Sequence, residues 1–294
     1  MDDQLLEGLG RFEYDEIDAY NASLLLHGLE SLSQLRCAKQ GELTLSKHTS
    51  DAKTVGTLAH AAVLEPDRNL DEELIPSLLR EGTTEHIVVP PEIRSRRGKA
   101  WEEFCEEHAD KTILRQRDID DAKERNKIAY KVRDAVFSHE FSSELLGRCK
   151  EYELTLICND NGVLCKGRAD AVGPGLLVDL KTTASIGNSA FGRQVGNFHY
   201  GERMALYRRW LRKITGDPID EVWLIAVKNK DNFDVAPTRV PPEYLDQGEK
   251  RMLPILQGLA WSIENERWPG ICPQFRELHI HNWDMDDDEV ELTA

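Results

Sequence analysis

The sequence predicts a mixed α/β (α+β) fold in which a central mixed sheet, built around an antiparallel meander, is flanked by helices. Three observations carry this expectation. Residues 152–183 hold three β-rich runs separated by two turn signals. Helical stretches fill most of what precedes them. A long helical stretch, two further β-rich runs and a last helix follow.

In chain order, Leu24, Leu25, Leu26, Leu29, Leu32 and Leu35 recur at helical spacing and predict one helix over 23–41, with Ser23 as its N-cap. A second helix covers 54–64 and stops before Pro66. Residues 85–89, ahead of Pro90-Pro91, read as a short strand. Charged, alanine-containing stretches at 98–109 and 118–137 read as exposed amphipathic helices, with a shorter one near 141–147. The meander consists of strands at 152–158, 163–172 and 176–183. Its turns are Asn159-Asp160-Asn161-Gly162 and Gly173-Pro174-Gly175. A helix over 189–214 follows, then strands at 221–228 and 233–240 and a helix over 242–266. No Gly/Ser linker and no repeat interrupts the chain. The expectation is one domain over 1–294, with a helical part at 20–150, a sheet core at 151–240, and a C-terminal helix and acidic tail at 241–294.

The chain has 294 residues, 40% hydrophobic and 31% charged, which is the composition of a folded globular protein able to bury a large core. No apolar run reaches the roughly 18–20 residues of a membrane span. The acidic start, Met1-Asp2-Asp3-Gln4, lacks the basic region of an export signal. A cytoplasmic protein away from membranes is expected. Its scattered cysteines, 37, 105, 149, 158, 165 and 272, then read as free thiols. The net charge of −16 argues against a nucleic-acid ligand only if it is evenly spread. Asp2, Asp3, Glu7, Glu13, Asp15, Glu16 and Asp18 face only Arg11, and Asp284, Asp286, Asp287, Asp288, Glu289 and Glu291 crowd the other end. Between them, Arg80, Arg94, Arg96, Arg97 and Lys99, then Lys111, Arg115 and Arg117, leave room for a basic groove. The acidic tail reads as a solvated end, and His279 and His281 beside Asp284 as a surface strand or loop.

The third strand of the meander reads Leu177-Val178-Asp179-Leu180-Lys181-Thr182-Thr183. Side chains alternate across a strand, so Asp179 and Lys181 share one face and Val178, Leu180 and Thr182 the other. Alone, such a pair equally fits a cross-sheet ion pair. The Gly173-Pro174-Gly175 turn, however, returns the chain so that Asp170 and Asp179 approach one point, and Glu153 lies on the strand paired to the other side of Asp170. Carboxylates joined by a main-chain carbonyl make the all-oxygen site that Mg²⁺ prefers. Neighbouring aspartates raise each other's pKa unless a cation neutralises them. Phosphodiester hydrolysis suits this arrangement: a metal acidifies water and offsets charge on the phosphate, while a lysine orients that water and stabilises the transition state.

Asp170 followed by Asp179-Leu180-Lys181 resembles the PD-(D/E)xK nuclease signature, with its restriction-endonuclease-like core. More narrowly, the chain resembles the RecB-like exonucleases of the RecE type (exonuclease VIII) carried by phages and prophages. Gly56-Thr57-Leu58-Ala59-His60 is similar to that family's Gly-x-x-x-His helix, and Glu153-Leu154-Thr155 to its Glu-x-Ser strand. Cys165-Lys166-Gly167-Arg168-Ala169-Asp170 is similar to its Cys-Lys-x-Arg-x-Asp segment, and Asp179-Leu180-Lys181-Thr182-Thr183 to its catalytic strand. Asn197-Phe198-His199-Tyr200 leads into the family's Tyr-containing helix, here with Tyr207. The likeness spans roughly residues 20–230. The family's Gln-x-x-x-Tyr calls for glutamine at 203, where this chain has Arg203, a residue suited to a phosphate.

The resemblance implies a Mg²⁺-dependent exonuclease on double-stranded DNA ends, with Mn²⁺ as a substitute. His60, Asp170, Asp179 and the Leu180 carbonyl would hold metal, Glu153 would serve a second metal or its water, and Lys181 would activate the nucleophilic water. Arg94, Arg96, Arg97, Arg168, Arg203 and Tyr207 are the expected DNA contacts. It further implies 5′-to-3′ digestion, a ring-shaped homo-oligomer and a single-strand annealing (recombinase) partner in the bacterial host cytoplasm. The alternatives are a RecB-like endonuclease and a non-catalytic DNA-end or partner-binding module. An iron–sulfur variant fits poorly, since only Cys272 lies beyond the catalytic strands.

Overall fold

The computed structural model describes residues 3–43 and 51–271; Cys272, the His279 and His281 pair and the acidic tail lie outside the described residues. The chain opens with β1 (Gln4–Leu6), α1 (Arg11–Glu16) and β2 (Tyr20–Asn21), all too short to show a periodicity. The expected helix over 23–41 is two helices, α2 (Ala22–Leu26) and α3 (Leu32–Lys39), joined by a 3₁₀ turn at His27–Leu29. Two caps divide it. Leu24 N donates to Asn21 Oδ1 at 2.8 Å, and Gln34 N donates to Ser31 Oγ at 3.0 Å, so Asn21 and Ser31 each start a helix and Ser23 starts none. Gly28 lies in the turn, where a Cβ would stand 2.3 Å from Ile255 Cγ2.

Next come α4 (Asp51–Leu64), α5 (Leu74–Leu78), β3 (His86–Val88), α6 (Lys99–Glu107), β4 (Thr112–Leu114), α7 (Gln116–Ser138) and α8 (Glu140–Gly147). The expected strand at 85–89 is therefore present. It pairs in parallel with β4, forming a small second sheet. The meander is β5 (Glu151–Asp160), β6 (Val163–Gly173) and β7 (Leu176–Thr183), antiparallel as expected. The helix expected over 189–214 is instead α9 (Asn188–Asn197) and α10 (Tyr200–Thr215), separated at His199, whose φ of 53° is left-handed and cannot continue a helix. The chain then forms β8 (Glu221–Lys228), β9 (Val235–Arg239) and α11 (Pro242–Asn265).

The main sheet has the order β1-β5-β6-β7-β8-β9, with β2 alongside β6. The crossover through α9 and α10 makes β8 parallel to β7. Alternation along β7 sends Leu177 into a core with Leu25, Leu35, Trp210 and Leu259, and Leu176, Val178 and Leu180 into a second core with Ala59, Ala129 and Val132. Each such buried aliphatic side chain contributes roughly 1.5–3 kcal/mol.

Two anchors fix the parts that later form the site. At the tip of the β5–β6 hairpin, buried Asp160 accepts from Arg209 Nε (2.8 Å) and Nη2 (3.0 Å) and from Trp210 Nε1 (3.1 Å), tying the hairpin to α10. Arg209 Nη1 continues to Glu249 on α11 at 2.8 Å. The second anchor is Lys166 on β6, whose buried Nζ donates to the carbonyls of Tyr14 and Ile17, both at 2.7 Å, and of Asp15 at 3.3 Å. That cage holds the N-terminal segment against the sheet.

Asp160→Ala would take the acceptor from Arg209 Nε and Nη2 and from the Trp210 N–H, leaving Arg209 only Glu249. We expect a stability loss of about 3 kcal/mol, the low end of the range for a broken buried pair, because Arg209 keeps some solvent access. Urea unfolding checks this, and an unchanged midpoint would count against the anchor.

Candidate active site

The site forms where β6 and β7 part. Their pairing is confined to Ala171 with Val178, Val172 with Leu177 and Gly173 with Leu176, so Asp170 and Asp179 are the first residues past it. Instead of pairing with β6, Leu180 N–H donates to Asp170 Oδ2 at 2.8 Å. The same residue's carbonyl accepts from Lys181 Nζ at 3.1 Å, and that ammonium also ion-pairs with Asp179. Leu180 thus holds Asp170 through its amide and Lys181 through its carbonyl.

On the neighbouring strand, Glu153 stands opposite Asp170 but drops out of the ladder, with a φ of 50°. A non-glycine residue so placed costs on the order of 1–3 kcal/mol, and such strain collects at functional sites. Helix α4 closes the group from above. Gly56 lets it approach β7, since a Cβ there would lie 3.1 Å from Thr182 Oγ1. One turn on, His60 Nδ1 reaches to 3.4 Å from Asp170 Oδ2. His60, Glu153 and Asp170 each offer a ligand atom within 4.8 Å of the others. Asp179 and the Leu180 carbonyl, expected in the same set, sit instead with Lys181.

Burial raises the pKa of Glu153, and the charge of Asp170 raises it further, against opposition from Arg168 and His60. Burial likewise raises Asp179; Lys181 lowers it and Asp170 raises it again. Crowded, desolvated carboxylates beside an imidazole form a donor set suited to a divalent cation. Glu153 also ion-pairs with Arg168 Nε, while Arg168 Nη1 is buried without a partner. Gly167 makes room for Tyr207, whose Cε1 would be 2.8 Å from a Cβ there. Burial holds the Tyr207 hydroxyl well above its ordinary pKa, so it remains a donor.

These residues floor and wall an open cleft of about 1390 Å³. Of the expected DNA contacts, Arg168, Arg203 and Tyr207 line it. Arg94, Arg96 and Arg97 do not. Arg96 leans on the Trp101 ring at 5.7 Å and approaches Asp118 at 3.9 Å. The expected basic groove is not this cleft's lining, where acidic and basic side chains occur in equal number. Arg68 at the rim is itself held by Glu65 and Glu73. Tyr200 and Tyr207 are largely buried and also line the cleft, whereas Trp210 is wholly core. Arg11, Gln194 and Phe198 line it without having been legible in the sequence. Gln194, from α9, meets Thr183 Oγ1 at 2.6 Å. Only the break before α10 brings α9 to the site, and no local pattern announces it. The described cysteines are free, and no helix among the described residues is long and apolar enough to cross a membrane.

A mixed sheet flanked by helices, with an Asp and an Asp-x-Lys strand converging beside a cluster fit for a divalent cation, defines a nuclease domain of the PD-(D/E)xK class. The chain belongs to the family of PDDEXK-like domains of unknown function (DUF3799), which matches residues 29–278. A crystal structure from Eubacterium rectale, described as that of a candidate exonuclease, shares the fold. It has a TM-score of 0.59 over 96% of this chain and 98% of that one, at 13% identity. The structure of SSO0001 is similar at 17% identity over 67% of this chain and 84% of that one, but its TM-score of 0.27 carries no argument. No curated protein sequence matches the chain.

A carboxyl whose pKa is higher folded than unfolded keeps its proton in the native state after the unfolded chain has lost it. The native state then binds more protons, so stability falls as pH rises from the ordinary carboxylate range toward the raised value. In EDTA, wild type should therefore lose melting temperature relative to Glu153→Gln as pH rises through that window. Excess Mg²⁺ should raise the wild-type melt and narrow the difference. Thermal melts across pH measure both effects, and a wild type that gains melting temperature relative to Glu153→Gln as pH rises in EDTA would contradict the electrostatics described.

Proposed function

We propose that this protein is a Mg²⁺-dependent exodeoxyribonuclease of the RecE type that degrades double-stranded DNA from its ends. The observation that carries the proposal is the convergence of His60, Glu153 and Asp170 with the Asp179–Lys181 pair across Leu180, at the floor of an open cleft. His60, Glu153 and Asp170 would hold the cation, and Asp179 and the Leu180 carbonyl, now with Lys181, would offer further oxygen donors. When bound, Mg²⁺, or Mn²⁺ in its place, acidifies a water and neutralises charge gathering on the phosphate.

The remaining work falls to the protein's own side chains. Lys181, ion-paired with Asp179, directs the attacking water and donates to the phosphate oxygen as charge develops there. Arg168, with Nη1 free to donate, and Arg203, with a buried unpartnered Nε, bind flanking phosphates. Tyr207 contributes a neutral hydroxyl donor. The Leu180 amide fixes the Asp170 carboxylate so that little reorganisation is needed as substrate enters. Digestion runs 5′ to 3′ and leaves a 3′ single strand for an annealing partner. A ring of identical subunits would keep the enzyme on the duplex.

The test is digestion of linear duplex DNA labelled at one 5′ end, beside closed circular duplex, in Mg²⁺ and in EDTA. We expect Mg²⁺-dependent early release of the label as mononucleotide and no attack on the circle. Lys181→Ala should lower kcat about 10²–10³-fold with DNA binding retained, and Asp179→Ala should weaken metal dependence and rate together. Cutting of the circle would make the protein an endonuclease, and inertness toward every substrate would leave a binding module.

A further inference from the structure

The break between α9 and α10 sets a large apolar ring in a polar cleft. Phe198 is 57% exposed, yet it lines the same cleft as Asp170 and Lys181. One face of its ring lies on Tyr200, with centroids 5.8 Å apart and planes 21° from parallel. Tyr200 in turn carries Lys181 Nζ at 5.2 Å and the Arg203 guanidinium at 5.9 Å from its centroid. The half-stack therefore runs outward from the lysine to Tyr200 and then to Phe198. The left-handed backbone of His199 takes Phe198 out of the path of α10.

A phenyl ring backed by a stacked neighbour and open to a cleft lined by charged side chains suits a flat, uncharged ligand surface. In nucleic acid that surface belongs to the base, not to the sugar or phosphate, and a paired base inside a duplex hides it. An unpaired base displays it.

On the reading of the chain as a DNA nuclease, we infer that Phe198 is the stacking platform for an unpaired base beside the cleaved phosphate. It receives a base lifted from the terminal pair of the duplex, and so favours ends whose nucleotides carry bases that can be splayed. Tyr200 is the positioning residue, in contact with both the Phe198 ring and the Lys181 ammonium.

The experiment compares wild type, Phe198→Ala and Phe198→Trp on linear duplexes with Mg²⁺, the 5′-terminal nucleotides being either normal or abasic. On normal ends Phe198→Ala should lower kcat/KM roughly ten- to a hundredfold, the range that stacking of one base supplies, and Phe198→Trp should restore it. On abasic ends the gap between wild type and Phe198→Ala should close. A terminal 2-aminopurine, bound with Ca²⁺ in place of Mg²⁺, should be quenched by wild type and not by Phe198→Ala. A wild type that digests DNA, with the same Phe198→Ala deficit on normal and abasic ends, would overturn the platform while leaving the nuclease reading intact. A wild type inert toward every end would remove the nuclease reading and the platform with it.

Discussion

The hydrogen bond from the Leu180 amide to the Asp170 carboxylate is the constraint on which the site depends. Two antiparallel strands that separate expose backbone donors and acceptors, and buried donors left unpaired are costly. Here a side chain from one strand takes the amide of the other, so β6 and β7 diverge without orphaning it. The same bond fixes the rotation of a carboxylate that then faces His60 and Glu153. It also leaves the Leu180 carbonyl to the Lys181 ammonium. Removing the divergence would extend the β6–β7 pairing and close the space between the two aspartates.

Much of this arrangement was legible in the sequence because it is written in short-range patterns. The meander followed from alternating runs and the turns around Gly162 and Gly175, and α4 and α11 ended within a residue or two of their expected limits. Asp170, Asp179 and Lys181 could be placed from strand alternation and one tight turn. His60 could not be derived that way; its approach depends on Gly56 against Thr182, a contact between distant segments that only the family resemblance anticipated. The misjudged helices share a physical cause. Leucine periodicity continues through Ser31, yet the Ser31 hydroxyl caps the next helix and resets the backbone. Likewise nothing in the composition of 189–214 marks His199 as left-handed. The arginines at 94–97 formed the densest basic cluster, but charge along a chain does not fix where a loop lands.

The site also carries costs that the rest of the molecule offsets. Glu153 adopts a backbone conformation unfavourable for its type, and its carboxyl and that of Asp179 resist ionisation. Around them the fold is closely determined: two apolar cores pack on opposite faces of β7, and the Asp160–Arg209–Glu249 chain joins the hairpin tip to α10 and α11. A rigid frame is what allows a strained, electrostatically unfavourable centre to persist, and activity and stability pull on the same residues in opposite directions.

The cage around Lys166 bears on when the cleft can exist at all. Gly8, Arg11 and Tyr14 form part of its wall, yet they are held by carbonyl contacts to a lysine about 150 residues later and by pairing of Gln4 with Ile157 and Tyr20 with Cys165. During translation these residues are made before the β5–β6 hairpin and must wait for it to leave the ribosome before they find their place. The chain therefore emerges with its cleft unassembled. Residues 4–21 can dock only once that hairpin is made, and a product truncated before it has no complete wall against which to hold a nucleic-acid strand.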